Sequence, residues 1–180
     1  MIRFCRQLDE PGVDVFDIRA TAEQPWCRLA FDYQHGGIPV PGYHGMRADS
    51  VTGTMEALKL VGPVEAVGRI NLGYLSGAGR VRHVPEGHRC SGYHYRGRPV
   101  GLGTARVNIL VPSYLWVLSN QVADVVCELR RIAKSRTAGL FDGDSPDILS
   151  DERLSAAALL AAYLSGQMIP FQHGEPVHQN

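Results

Sequence analysis

Side chains that could transfer protons or stabilise positive charge flank a Gly/Pro-rich loop in the first third of the chain. Asp32 and His35 precede this loop, and Thr52 and Glu56 follow it with the four-residue spacing of one helix face. Carboxylate, imidazole and hydroxyl groups brought together in this way are suited to general acid–base chemistry. We take these residues as the first candidate site.

Plainer interpretations of the same residues stay open. Glutamate is rarely fully buried, so Glu56 would then be a solvated surface carboxylate. His35 stands beside two glycines and would be a loop histidine held by backbone groups.

The loop between these groups has the composition of a segment with a fixed shape. Pro39 and Pro41 stiffen it, while its glycines allow backbone conformations that other residues resist. The helix that we expect to begin at Asp49-Ser50 would offer free N–H groups and a positive dipole end to a phosphate or carboxylate. The stretch 31–61 therefore indicates a small-ligand site rather than a docking surface.

An arginine-rich segment between Gly77 and Gly103 forms the second candidate site. Guanidinium groups match the geometry of phosphate oxygens, so the segment predicts an anionic ligand. A solvated basic segment is the alternative. The five arginines are Arg80, Arg82, Arg89, Arg96 and Arg98.

An acidic turn, Asp142-Gly-Asp144-Ser-Pro-Asp147, forms the third candidate site. Carboxylates this close could gather a cation or supply a catalytic acid. The alternative is an acidic turn placed favourably before the dipole of the last helix.

No motif predicts a metal or a cofactor. The His-Cys-His spacing at 88–94 has no second ligand pair at a zinc-like interval. A calcium-binding loop counted from Asp142 would need glycine and glutamate where Asp147 and Arg153 stand.

The elements that must position these sites predict an α+β domain, helix-dominated, with a small antiparallel sheet. Short strands are expected at 13–18, 26–29 and 140–141, and helices at 50–61, 64–75, 113–136 and 150–164. The helix 113–136 carries a long apolar stripe, so it should be the central core helix. We expect one domain over 1–168 and a flexible tail over 169–180.

Composition restricts the function classes. Eighteen basic and eighteen acidic residues leave no net charge, which argues against bulk nucleic-acid binding. The four cysteines have no paired spacing, and no apolar run has the length of a membrane span. We predict a cytoplasmic protein with no membrane partner, and a homodimer stays open.

The segments HGGIPVP and ADSVTGTMEALKL resemble an uncharacterised bacterial family that carries a PHGGIPVP loop and a helix reading SVEGIWQGLKVF. That pattern is in turn similar to the NADAR superfamily. Members of the superfamily have a loop of the form FSNF, a helix like SEHYFQAQKF and a late acidic turn before a terminal helix. The resemblance follows the order of these features along most of the chain and implies a NADAR-like fold.

The resemblance also implies an activity. NADAR-like proteins are N-glycosidases that act on ribosylated or ADP-ribosylated bases, with acidic residues and no metal. Their helix-start serine falls on Ser50, their helix lysine on Lys59, and their late aspartate on Asp142 or Asp144.

The chain departs from the family pattern at one catalytic position. The helix glutamate of the family falls on Thr52, and the glutamine that follows it falls on Glu56. Either Glu56, one turn along the same face, supplies the carboxylate, or the pocket binds without hydrolysing.

The sequence thus predicts an N-glycosidase that cleaves the C–N bond of a ribose-phosphate nucleotide or an ADP-ribosyl substrate. A catalytically inactive nucleotide-binding module and a biosynthetic lyase or isomerase on the same scaffold are the alternatives. The predicted catalytic residues are Glu56, Asp142, Asp144 and Thr52. The predicted substrate contacts are Tyr33, His35, Gly36, Ser50, Lys59, Arg80, Arg82 and Arg89.

Overall fold

The computed structural model describes residues 1–62, 71–77, 81–84, 86–87 and 89–167. The strands are β1 (Ile2–Phe4), β2 (Asp14–Asp17), β3 (Ile38–Pro39), β4 (Arg47–Ala48), β5 (Lys59–Val61), β6 (Cys90–Tyr95), β7 (Arg98–Val100) and β8 (Ala138–Phe141). The helices are α1 (Val51–Leu58), α2 (Leu102–Ala105), α3 (Val111–Asn120), α4 (Ala123–Ser135) and α5 (Ala156–Leu164). The predicted α+β class is confirmed. Most of the helix expected over 64–75, and the tail 169–180, lie outside the described residues.

A three-stranded parallel sheet pairs β8 with the two N-terminal strands, in the order β1-β8-β2. The predicted strands at 13–18 and 140–141 are confirmed as β2 and β8. Gly139 is needed in the central strand, since a Cβ there would lie 2.4 Å from Cys5 Sγ and 2.9 Å from Val13 Cγ1. The strand expected at 26–29 is wrong: Trp26–Leu29 is a 3₁₀ turn, closed by bonds such as Ala30 N–H to Cys27 O.

A small antiparallel sheet is present, but it is formed by β5, β6 and β7 and not by the strands that the sequence predicts, of which β2 and β8 pair in parallel. Two of its strands, β6 and β7, come from the arginine-rich segment between Gly77 and Gly103. They are joined at Arg96-Gly97, where both residues have positive φ (49° and 84°), as tight hairpin turns require. The Gly/Pro-rich loop folds back on itself through the short pair β3–β4.

Helix α1 begins where the sequence predicts and ends earlier. The Ser50 hydroxyl caps it by accepting the Gly53 N–H at 3.0 Å. The helix ends at Leu58 because Lys59 takes an extended backbone conformation and continues directly as β5.

The single helix expected over 113–136 is two helices, α3 and α4. The helical run Leu102–Asn120 and helix α4 meet at 82°. The chain turns at Gln121-Val122, where both N–H groups bond to the Val117 carbonyl (2.8 and 3.2 Å). The apolar pattern does not reveal this break, because α3 and α4 both place apolar residues of the same spacing in one core. The predicted core residues are confirmed as buried: Leu118, Val122, Val125 and Leu129.

Helix α5 also starts later than predicted. Ser155, rather than Ser150, caps it by accepting the Ala158 N–H at 2.9 Å. Gly166, with φ of 75°, follows the end of the helix, where a glycine can take the left-handed conformation. Within the described residues, no single helix is long and apolar enough to cross a membrane.

Candidate functional site

Four side chains that are distant in sequence meet in a charged cluster, which we call the Asp32–Asp144 cluster. The Thr52 hydroxyl donates to Asp32 Oδ1. Arg153 Nη2 donates to Asp32 Oδ2 at 2.6 Å, and Arg153 Nε lies 3.2 Å from Asp144 Oδ2. One guanidinium therefore bridges two carboxylates, and a helix hydroxyl holds the first of them.

Two backbone features bring the cluster together. The Thr52 N–H in the first turn of α1 donates to the Phe31 carbonyl at 3.0 Å, which fixes Asp32 beside the helix start. Asp144 follows β8 in a loop over 142–155, and Arg153 belongs to the same loop. The cluster is thus assembled between the N-terminal end of α1 and this loop.

Asp144 is the carboxyl group of the cluster whose pKa is raised. Burial raises the pKa of Asp144 to about 6, and the negative charges of Asp142 and Asp32 add to this effect, while Arg153 opposes it. A carboxyl group with such a pKa exchanges its proton near neutral pH, as a general acid must.

Asp142, the other predicted acid of this turn, has a structural role. Its Oδ1 accepts from the Ser155 hydroxyl at 2.8 Å, and its Oδ2 accepts from the Ala157 N–H at 2.9 Å. Asp142 therefore stabilises the N-terminal end of α5, as the alternative interpretation of the acidic turn proposed.

A cavity of about 350 Å³ opens beside Asp144 at the carboxyl ends of β1 and β8. Its lining comes from residues 4–6 at the end of β1, residues 143–146 after β8, and Glu152. Ligands of parallel sheets bind outside the carboxyl ends of the strands. Asp144 belongs both to this cavity and to the Asp32–Asp144 cluster.

Glu56 occupies a separate, buried ion pair. Its exposed fraction is 8%, so the interpretation as a solvated carboxylate is wrong. Lys59 Nζ lies 2.8 and 2.7 Å from its two oxygens, and the Arg82 N–H donates to Oε2 at 2.8 Å. Burial raises the pKa of the neighbouring Tyr93, with added effects of Cys90 and Glu56. These contacts favour a structural role for Glu56 and Lys59.

The loop residues predicted to contact substrate surround the start of α1. The N–H groups of His35 and Gly36 both donate to the Asp49 carbonyl (2.7 and 3.0 Å), and the rings of Tyr33 and His35 lie 4.8 Å apart. Burial lowers the pKa of His35, and its buried Nε2 has no hydrogen-bond partner among the residues that the structure describes. Ser50 is fully buried as the cap of α1, so its hydroxyl is committed to the helix.

The arginine-rich segment makes contacts of its own. Arg82 Nη1 donates to the Lys59 carbonyl at 2.7 Å, which ties residues 81–84 to β5. Arg89 is exposed, and Arg96 lies over the Tyr95 ring at 5.3 Å. Arg80 lies outside the described residues.

The sequence places Asp32 in the first candidate site but does not predict a catalytic role for it, and it does not indicate Arg153 as a site residue. The sequence predicts that Glu56 and the Asp142/Asp144 turn face one pocket with Thr52 and His35 on its rim. In the structure the turn reaches Thr52 through Arg153 and Asp32, whereas Glu56 pairs with Lys59. Among the described residues, no group of three histidine, cysteine or acidic side chains could hold a metal ion.

The fold and the cluster define a class: an α+β protein in which one arginine joins two carboxylates beside an open cavity. Residues 4–160 match the model of a family of unknown function, DUF6939, and the chain belongs to that family. No curated protein and no solved structure matches the chain significantly.

Proposed function

We propose that the protein hydrolyses the C–N glycosidic bond of a ribose-phosphate nucleotide or an ADP-ribosyl compound. The observation that carries this proposal is the pair Asp32 and Asp144, bound to one guanidinium, with the pKa of Asp144 raised to about 6 beside a cavity. Glycoside hydrolysis uses one carboxyl group as an acid and a second as a carboxylate.

The two carboxyl groups take different roles in this reaction. Protonated Asp144 donates its proton to the base nitrogen as the C–N bond breaks and its electron pair leaves with the base. Asp32, which pairs with Arg153, acts as the carboxylate: it stabilises the positive charge on the ribose ring and accepts a proton from the attacking water. The water oxygen becomes the hydroxyl on the anomeric carbon.

The resemblance to NADAR-like N-glycosidases supports this assignment at the position where the chain departs from the family. Thr52 stands where the family has a catalytic glutamate, and its hydroxyl donates to Asp32. Asp32 thus supplies a carboxylate beside the place of the missing glutamate. We assign the carboxylate role to Asp32 rather than to Glu56.

The substrate we propose is a small anionic metabolite of the cytoplasm, and no cofactor enters the reaction. Arg82 and Arg89, with Arg80 of the same segment, stay the proposed phosphate contacts.

A binding module without turnover is the second candidate function. The observation that favours it is Thr52 itself, since a threonine cannot supply the charge of the family glutamate. Saturable binding of ADP-ribose without release of a base from any N-glycoside would support it. A lyase or isomerase remains the other alternative on this scaffold.

The test is a panel of N-ribosyl phosphates and ADP-ribosyl compounds, incubated with purified protein and analysed for free base by liquid chromatography. We expect release by the wild-type protein and a loss of at least ~100-fold in Asp144→Asn and Asp32→Asn. Asp147→Asn is the matched control, because Asp147 lies in the same acidic turn and, within the described residues, its carboxylate accepts only from the nearby Leu149 N–H, at 2.8 Å. Equal rates in all four proteins would exclude the cluster from catalysis.

A further inference from the structure

Arg106 is a buried cation whose partners are backbone carbonyl groups. Its exposed fraction is 3%. Nη1 donates to the carbonyls of Ile148, at 2.8 Å, and Ser150, and Nη2 donates to the carbonyl of Glu152. None of the ion pairs within the described residues includes Arg106. Burying a charge is costly unless hydrogen bonds compensate it, so these three carbonyls are what makes its position stable.

The carbonyls that Arg106 holds lie immediately before Arg153. The loop also closes on itself, since the Ser145 N–H donates to the Arg153 carbonyl at 2.9 Å and the Ser155 N–H to the Ser145 carbonyl at 2.7 Å. Asp144 and Arg153 are therefore attached to one closed loop, and Arg106 fastens that loop to the helical run 102–120.

Arg106 projects from an irregular turn of this run. Residues Arg106–Leu110 form a π-helical turn between α2 and α3. Turns of this kind interrupt helices rarely and recur at functional sites. Its neighbours in the turn, Ile109 and Leu110, pack in the core, so the base of the arginine is fixed.

We propose that Arg106 is the positioning residue of the Asp32–Asp144 cluster: its guanidinium fixes the loop that places Arg153 between the two carboxylates and Glu152 at the cavity. The effect of Arg106 on turnover rests on the proposed hydrolysis. The effect of Arg106 on the position of Asp144 is independent of that proposal. Arg106 touches neither carboxylate, so it acts through the loop backbone.

Arg106→Lys tests this role with the positive charge retained. An ammonium group is a compact point donor and cannot reproduce the planar fork that reaches three carbonyls. We expect the loop to loosen and water to reach Asp144. Because burial is the largest cause of its raised pKa and outweighs the opposing charge of Arg153, the pKa of Asp144, followed by carboxyl carbon NMR, should fall from about 6 toward 3.8. We also expect kcat to fall ~100-fold, the scale of a small misplacement of reacting groups, with KM changed far less. Arg131→Lys, at an exposed arginine of α4, should change neither quantity.

A second measurement needs no variant. In the wild-type protein, nitrogen NMR should show separate and slowly exchanging Nη–H signals for the Arg106 guanidinium. Averaged signals in fast exchange with water would overturn the proposal, and so would folded Arg106→Lys protein with an unchanged Asp144 pKa. If the wild-type protein cleaves no N-glycoside but Arg106→Lys still lowers the Asp144 pKa, the proposed hydrolysis fails and the positioning role stands.

Discussion

Glu56 and Glu128 each form an ion pair with the basic residue three positions later, and the first pair is buried whereas the second is exposed. Glu56 and Lys59 have side chains that are 10% and 12% exposed, whereas Glu128 and Arg131 lie on the outer face of α4 at 41% and 73%. Breaking a buried pair leaves an uncompensated charge in a poorly solvated place, while an exposed charge is solvated by water. The two pairs form a matched comparison within one protein.

We predict that Glu56→Gln lowers the free energy of unfolding by about 3 kcal/mol, because it leaves the Lys59 ammonium without its partner. Glu128→Gln should leave stability within experimental error. Urea denaturation of both variants measures the difference. If Glu56→Gln is as stable as the wild-type protein but loses turnover, Glu56 has the catalytic role that the sequence indicated.

The raised pKa of Asp144 predicts a dependence of stability on pH. The folded protein binds the Asp144 proton more tightly (pKa about 6) than the unfolded chain (3.8). The stabilisation of the folded state by this proton is therefore fully present below about pH 4, and it is lost as the pH rises toward 6. The wild-type protein should lose up to about 2 kcal/mol across this window relative to Asp144→Asn.

Chemical denaturation of both proteins at several pH values between 4 and 7 measures this difference. Asp147→Asn should follow the wild-type curve. Parallel curves for wild-type and Asp144→Asn protein would mean that Asp144 titrates as an ordinary carboxyl group.

At the scale of elements, α4 carries the strongest stability prediction. Val125 on its inner face is 2% exposed, and Ala123 in its first turn is exposed. We predict that Val125→Asp lowers the free energy of unfolding by about 4 kcal/mol or more, because it buries an unpaired charge. Ala123→Asp places the same group in solvent near the N-terminal end of the helix and should cost little. Thermal melts of the two variants compare them, and nearly equal melting temperatures would contradict the burial of this face of α4 in the core.

Periodicity predicted which residues lie in the core more reliably than where elements end. The stripe through Leu118, Val122, Val125 and Leu129 is buried as predicted, yet the chain turns by 82° within it. Which residues are buried depends on which helix face meets the core. The position of the break depends on local hydrogen bonds to the Val117 carbonyl, and these do not change the spacing of the apolar residues. The start of α5 was misplaced for a similar reason, since Ser150 and Ser155 both satisfy the pattern of a cap.

At the scale of the whole molecule, the candidate site depends on contacts between distant segments. Arg153 and Asp32 are 121 positions apart, and the parallel sheet pairs β8 with both N-terminal strands. The sequence identified the acidic turn and the helix start as chemical segments from their composition. It could not indicate that Arg153 joins them, because that contact follows from the three-dimensional path of the loop that Arg106 holds.

Hydrolysis of an N-glycosidic bond at the Asp32–Asp144 cluster is tested most directly by following the oxygen of water. A substrate identified in the panel is converted in ¹⁸O-water, quenched before the free sugar exchanges its anomeric oxygen, and analysed by mass spectrometry. The account predicts one ¹⁸O atom on the released ribose phosphate or ADP-ribose, at full rate in Asp147→Asn and at least ~100-fold more slowly in Asp144→Asn. Release of the base with no label in the sugar, or labelling that proceeds equally fast in Asp144→Asn, would contradict it.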